Sequence, residues 1–212
     1  MTGNRSTDDR AQAFTMEGFI GGLLILAAVL FALQATIFTP TASGSTSEET
    51  QLTLQRQAED VLVTTAARES NGLSYYVRYW DVERYTFVGA KNPTVGYGPE
   101  GVPGALGDRL AAVFEQRGHS YNLVFAYETR GKRAPETIPL VYRGNPPSSA
   151  VVATYTFTLY DTQTLTGPDA THAELTDYDT NASDGDDGYY PIPDIAPNST
   201  VYNVVEVRLV VW

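Results

Sequence analysis

The feature that most constrains this chain is a run of twenty residues, Phe19 to Phe38, that is apolar except for Gln34 and Thr36. At a rise of about 1.5 Å per residue such a run spans roughly 30 Å, the thickness of a bilayer's hydrocarbon core. Glu17 bounds it on one side and Pro40 on the other. A core helix apolar all round is unusual in a chain of 212 residues, so the run is expected to cross a membrane. Arg5 and Arg10 precede it, and the next basic residue after it is Arg56. Positive flanks stay on the cytoplasmic side, which sets the N-terminus inside and the remainder outside. The expected organisation is a leader over residues 1–17, a membrane helix over 18–39, a linker over 40–47 and an extracytoplasmic domain over 48–212.

Composition narrows the function of the outer part. The net charge is -11, from 25 acidic and 14 basic residues. Nucleic acid needs a basic face, so it is not an expected partner. Lys91 and Lys132 are the only lysines, and there is no cysteine. Abundant acid with scarce lysine is the pattern of a surface kept hydrated and self-repelling at high salt. Without cysteine there are no disulfides, thiolate metal sites or cysteine nucleophiles. His119 and His172 are isolated from each other in sequence. No nucleophile–base pair and no metal-ligand spacing is legible, so the chain is expected not to be an enzyme and to use no cofactor.

Three histories fit the apolar run. A cleaved signal peptide needs small residues after the run, and Thr41-Ala42-Ser43 offers only a loose version. An uncleaved signal anchor needs nothing more than the run. The third places processing before the run, where the sequence reads Arg10-Ala11-Gln12-Ala13-Phe14-Thr15-Met16-Glu17. This resembles the class III signal of archaeal pilins and archaellins. Phe14-Thr15-Met16-Glu17 is also similar to the start of bacterial type IV pilins. More broadly, the opening Ala11 to Phe19 and the ending Tyr202-Asn203-Val204-Val205-Glu206-Val207 resemble a haloarchaeal family of pilin-like membrane proteins.

The resemblance implies a prepilin peptidase acting at Arg10, Ala11 and Gln12, with the cut after Ala11. The hydrophobic helix then stays on the mature subunit. In the pilin pattern the fifth mature residue is a glutamate that meets a neighbouring subunit's amine. Glu17 is sixth after a cut at Ala11 and fifth after a cut at Gln12. Independently of the family, a carboxylate at the edge of an apolar span must stay in the headgroup zone or find a partner. Gly18 and Gly22 form a small-xxx-small spacing, which lets helix backbones approach closely. Glu17, Gly18 and Gly22 are therefore the candidate assembly residues. The implied partners are the membrane, other pilin-like subunits and the peptidase. The function expected first is a structural subunit of a surface filament. The alternative is a signal-anchored surface module that binds a sugar, a protein or calcium.

The outer part reads as α+β: an amphipathic helix, then a head with an antiparallel sheet. Ser45-Thr46-Ser47-Glu48 has the spacing of a capping box, with Ser45 as N-cap. Leu54, Ala58, Val61, Leu62 and Thr65 follow at helical spacing on one stripe. The helix is expected to run to about Arg68 and stop at Asn71-Gly72, with Gly72 left-handed. The aromatics Tyr75, Tyr76, Tyr79, Trp80, Tyr85 and Phe87 could form a platform for sugar or nucleic acid, but their spacing is irregular and no basic cluster accompanies them, so core and sheet packing is the expectation. A short helix is expected at Asp108–Arg117, ended by Gly118, with strands at 121–128, 138–143, 150–160 and 202–212.

Two further motifs carry chemistry on paper. Gly96-Tyr97-Gly98-Pro99-Glu100-Gly101 matches G-x-G-x-x-G, but Pro99 and Pro103 break the strand–turn–helix that a dinucleotide needs. Residues 161–197 read as a long acidic insertion. Asp177, Asp179 and Asp184 are its calcium candidates by composition, yet the EF-hand register puts Ala182 and Gly188 where glycine and glutamate belong. A solvated acidic loop is the expectation. Asn181 and Asn198 head sequons, and both are candidate N-glycosylation sites.

Overall fold

The computed structural model describes residues 42–168, 170, 172–180 and 188–212. Residues 48–212 form one compact unit, and residues 1–47 fall in another. The apolar run 19–38 lies outside the described residues. Among those described, no helix is long and apolar enough to cross a membrane.

Helix α1 (Ala42–Ala66) opens the described chain. It begins earlier than the expected cap, so the stretch read as linker is helical from Ala42 and Ser45 lies inside the helix. Weak helix formers cost at most about 1 kcal/mol each, and no proline interrupts 42–47, so propagation carries through. Within 48–66 the stripe read from sequence is the buried one. Leu54, Ala58, Val61, Leu62 and Thr65 are buried, while Gln51, Leu52 and Thr53 face solvent. Thr65 satisfies its hydroxyl on the Val61 carbonyl at 2.7 Å. Asn71, with φ 57°, takes the left-handed position expected of Gly72. Gly72 instead stands, extended, before a second helix α2 (Leu73–Val77) that the sequence did not announce. Five residues are too few to show a period.

A small hairpin follows, β1 (Trp80–Asp81) with β2 (Thr86–Phe87), and then α3 (Ala105–Val113). A single 3₁₀ turn at Glu115–Arg117 closes on Gly118, the expected stop, which is left-handed. The main sheet comprises β3 (Tyr121–Tyr127), β4 (Glu136–Val141), β5 (Val151–Tyr160) and β6 (Val201–Val211). Its order is β4-β3-β6-β5, and every pairing is antiparallel. The chain is therefore α+β, with α1 and the sheet contributing to one core.

Alternation decides the two faces of the sheet. Tyr121, Leu123 and Phe125 of β3, and Val205, Val207, Leu209 and Val211 of β6, are buried with the α1 stripe. Val152, Thr154 and Thr156 of β5 face out. Beside them on β6 lie Glu206 and Arg208, which form an ion pair. Of the aromatics read from sequence, Tyr76, Trp80 and Phe87 are buried in the core, Tyr75 and Tyr79 are half-buried, and Tyr85 is exposed. Trp80 meets Phe87 edge-on at 5.2 Å, and Phe87 reaches Phe125 of the sheet at 5.9 Å.

The insertion after β5 departs from a purely solvated loop. It is irregular where described, yet Leu165, Leu175, Tyr178, Tyr190 and Ile192 are buried in the core. Their spacing follows no helix or strand period, so pattern reading misses them. Tyr190 donates to the Val77 carbonyl at 3.2 Å and Tyr202 to the Ile192 carbonyl at 2.6 Å. Asn203, fully buried, donates to the carbonyls of Glu128 and Pro193 at 3.0 and 2.8 Å. These bonds fasten the insertion to the sheet.

The literal G-x-G-x-x-G has a structural role. Tyr97 N–H donates to the Leu140 carbonyl at 2.9 Å, and Tyr142 N–H donates to the Val95 carbonyl at 3.0 Å. This loop thereby covers the outer edge of β4, which would otherwise present free ladder groups. Gly96 has φ +59°, and a Cβ there would sit 2.1 Å from the Leu140 carbonyl oxygen. Gly96→Ala is expected to destabilise the fold by more than the roughly 1–3 kcal/mol of a left-handed non-glycine. Gly131→Ala, where an added Cβ meets nothing, should show only the backbone part in parallel chemical denaturations.

Burial pushes the phenols of Tyr97, Tyr121, Tyr127, Tyr190 and Tyr202 above their ordinary value of 10.0. The folded state thus holds these protons more tightly than the unfolded state. Their contribution to stability is complete below the ordinary value and is lost as pH rises above it. Denaturation midpoints should fall steeply above that pH, with tyrosinate absorbance appearing together with unfolding.

Candidate functional site

Of the residues singled out from sequence as a site, Asp177, Asp179 and Asn198 are among those described. Arg10, Ala11, Gln12, Glu17, Gly18 and Gly22 lie outside the described residues, as do Asn181 and Asp184. Asp177 is engaged in a cap: its Oδ2 accepts from Glu174 N–H at 2.9 Å, and Glu174 reciprocates. Asp179 takes part through its backbone, donating to the Gly188 carbonyl and accepting from Tyr190 N–H. Among the described residues no group of three or more histidines or acids is placed to hold a metal ion. Asn198 stands exposed on the turn before β6.

A cleft of about 510 Å³ forms where the end of α1, the turn 68–72 and α2 meet β5. Its size falls within the range of small-molecule sites. The turn supplies Arg68, Glu69, Ser70 and Asn71, all exposed. Helix α2 and the residue after it supply Ser74, Tyr75 and Arg78. Strand β5 and the turn beyond it supply Tyr155, Phe157 and Gln163. Tyr155 and Phe157 belong to the inward register of β5, yet both are only half-buried, unlike Val151, Ala153 and Leu159 on the same face.

Arg78 anchors this cleft. Its Nε donates to the Ser74 carbonyl at 3.0 Å and its Nη1 to the Thr164 carbonyl at 2.5 Å. Thr166 ties the same loop to α2, its N–H donating to the Arg78 carbonyl and its hydroxyl to the Tyr75 carbonyl. The guanidinium is thus held in place by neutral oxygens. Burial lowers its pKa from the ordinary arginine value, and the nearby Tyr190 opposes that shift. The ion pairs among the described residues are Lys132–Glu136, Arg143–Glu115 and Arg208–Glu206, so Arg78 has no carboxylate partner there. In a chain with 25 acidic residues, that is a cation kept away from its natural counter-charge. Ser74 Oγ, also at the cleft, is shielded from solvent and has no hydrogen-bond partner among the described residues. Sequence reading weighed the aromatics of 73–87, Tyr75 among them, as a platform and set that aside for core packing; it did not single out Arg78, the one basic residue between Arg68 and Arg84.

A second charged cluster contrasts with it. Arg143 lies over the Tyr121 ring at 4.1 Å and pairs with Glu115 at 2.5 Å. Tyr121 in turn donates to Glu115 at 3.0 Å. That network compensates its own charge and seals the start of β3.

An α1 helix against a four-stranded antiparallel sheet, with an irregular insertion feeding the core, defines an α+β domain. The chain belongs to the family described as "Family of unknown function (DUF7288)", whose profile matches residues 10–211. No curated protein matches the chain, and no solved structure does. For the exposed sequon, Asn198→Gln is expected to remove one glycan from the chain expressed in its native host. Intact-mass measurement checks this, and the fold should be unchanged because the side chain stands in solvent.

Proposed function

We propose that this chain is a pilin-like structural subunit of a surface filament or related assembly, anchored through its N-terminal hydrophobic helix. The observation that carries the reading is the order of parts along one chain. A leader with Arg10-Ala11-Gln12 precedes the apolar run 19–38, then comes α1, then an antiparallel sheet. The stripe of α1 is buried in the head from Leu54 onward. Processing before the apolar run would preserve the anchor as an assembly element, and Glu17 with Gly18 and Gly22 would mediate close helix contacts.

Expression with and without a prepilin peptidase, followed by N-terminal sequencing, tests this. A mature start at Gln12 or Ala13 that depends on the peptidase is the expected result. An intact Met1, or a start after Ala42, would count against it. Glu17→Ala should abolish filament yield while membrane insertion persists.

The alternative, a signal-anchored surface module that does not polymerise, is favoured by one observation: the open cleft around Arg78. The two readings are separable, because a filament subunit can carry a ligand site on its head.

A further inference from the structure

We propose that the cleft between α2 and β5 binds an acidic sugar, a hexuronate-like ring whose carboxylate pairs with Arg78 while its C–H face lies on Tyr75, Tyr155 and Phe157. Neither the assembly reading nor its alternative needs to hold for this to be true.

Three observations converge on that chemistry. The first is charge. Arg78 is held by the Ser74 and Thr164 carbonyls through Nε and Nη1. A guanidinium carries five donors in a planar fork suited to carboxylates. Two neutral carbonyls use part of the fork and leave its charge unbalanced. A half-buried cation with no counter-ion among the described residues attracts one. Arg68 on the rim adds a second positive charge, against the single carboxylate of Glu69.

The second is apolar surface of the right kind. Three half-buried aromatic residues share the cleft with polar groups, rather than forming a closed hydrophobic pocket. Tyr75 is fixed by stacking on Tyr79 at 5.3 Å and by an edge contact with Tyr76 at 5.4 Å. Rigid aromatic faces beside hydrogen-bonding groups suit a ring that has apolar C–H faces and hydroxyls at its edge.

The third is polar complementarity at the floor and wall. Ser74 Oγ lacks a partner among the described residues. Gln163, whose Oε1 accepts from Tyr160 N–H at 3.1 Å, is oriented by that bond and brings an amide to the wall. Ring hydroxyls, which both donate and accept, match such groups. A phosphate would use the arginines but has no C–H face for the three rings.

The test is calorimetric titration of the full chain in detergent with glucuronate, glucose and acetate, each to about 10 mM so that a Kd of roughly 1 mM is seen. Glucuronate is expected to bind at least about tenfold more tightly than either glucose or acetate, a difference of about 1.4 kcal/mol. Arg78→Gln should abolish that preference. Because Arg78 also joins α2 to the 164–166 loop, that variant can lose its fold. Arg68→Glu avoids this, since Arg68 is exposed. It should weaken glucuronate at least fivefold while leaving the thermal midpoint in place. Absence of glucuronate binding, glucose or acetate matching it, or an unchanged affinity in Arg68→Glu would each overturn the proposal. Filament assembly and N-terminal processing are not read by any arm, so failure here is distinct from failure of the subunit reading.

Discussion

The domain depends on β6 pairing on both sides. Val205 to Val211 lie opposite Tyr127 to Tyr121 of β3, and the same strand lies opposite β5 from Val151 to Tyr160. Its inward residues Val205, Val207, Leu209 and Val211 are all fully buried. Fully burying each such side chain contributes about 1.5–3 kcal/mol. The strand follows β5 only after the long insertion, so the sheet's centre cannot be completed before that segment is made. Its neighbour β5 is an edge strand on one side of the sheet, and β4 is the edge on the other. The nine residues 142–150 therefore carry the chain across the sheet's end, with Asn122 holding the crossing by bonds to Arg143 N–H and the Gly144 carbonyl.

That arrangement also creates the cleft. The insertion leaves the end of β5, runs beneath α2 and returns to start β6. Arg78, Thr164 and Thr166 knit α2 to its first turns. Because these bonds are all to backbone carbonyls, they fix the guanidinium without neutralising it. The Arg143–Tyr121–Glu115 cluster shows the other outcome, an arginine placed by the same kind of packing but supplied with its own carboxylate. The difference between the two arginines is what separates a structural latch from a site.

Much of the scaffold was legible because it follows a period. The stripe of α1, the alternation in β5 and β6, and the stop at Gly118 are local rules expressed in local sequence. The candidate site was not legible, because nothing local distinguishes Tyr155 and Phe157 from Val151 and Leu159 on the same face of β5. Which of them ends up covered is settled by what packs over each in the folded domain. The acidic insertion misled for a similar reason. Its composition is that of a solvated loop, while five scattered apolar residues hold it in the core. Asp177, read as a calcium candidate, is used as a helix cap.

By itself the sequence determined the α+β class of the domain over 48–212 and the buried stripe of its first helix. It also determined a twenty-residue apolar run of membrane-spanning length, because hydrophobicity and length alone carry that statement. Only the tertiary structure decided that β6 sits inside the sheet, that G-x-G-x-x-G guards an edge, and that Arg78 has no carboxylate partner among the described residues. These are relations between residues far apart in the chain. Their energies depend on burial and on which backbone oxygens lie within reach, and neither is written in spacing or composition.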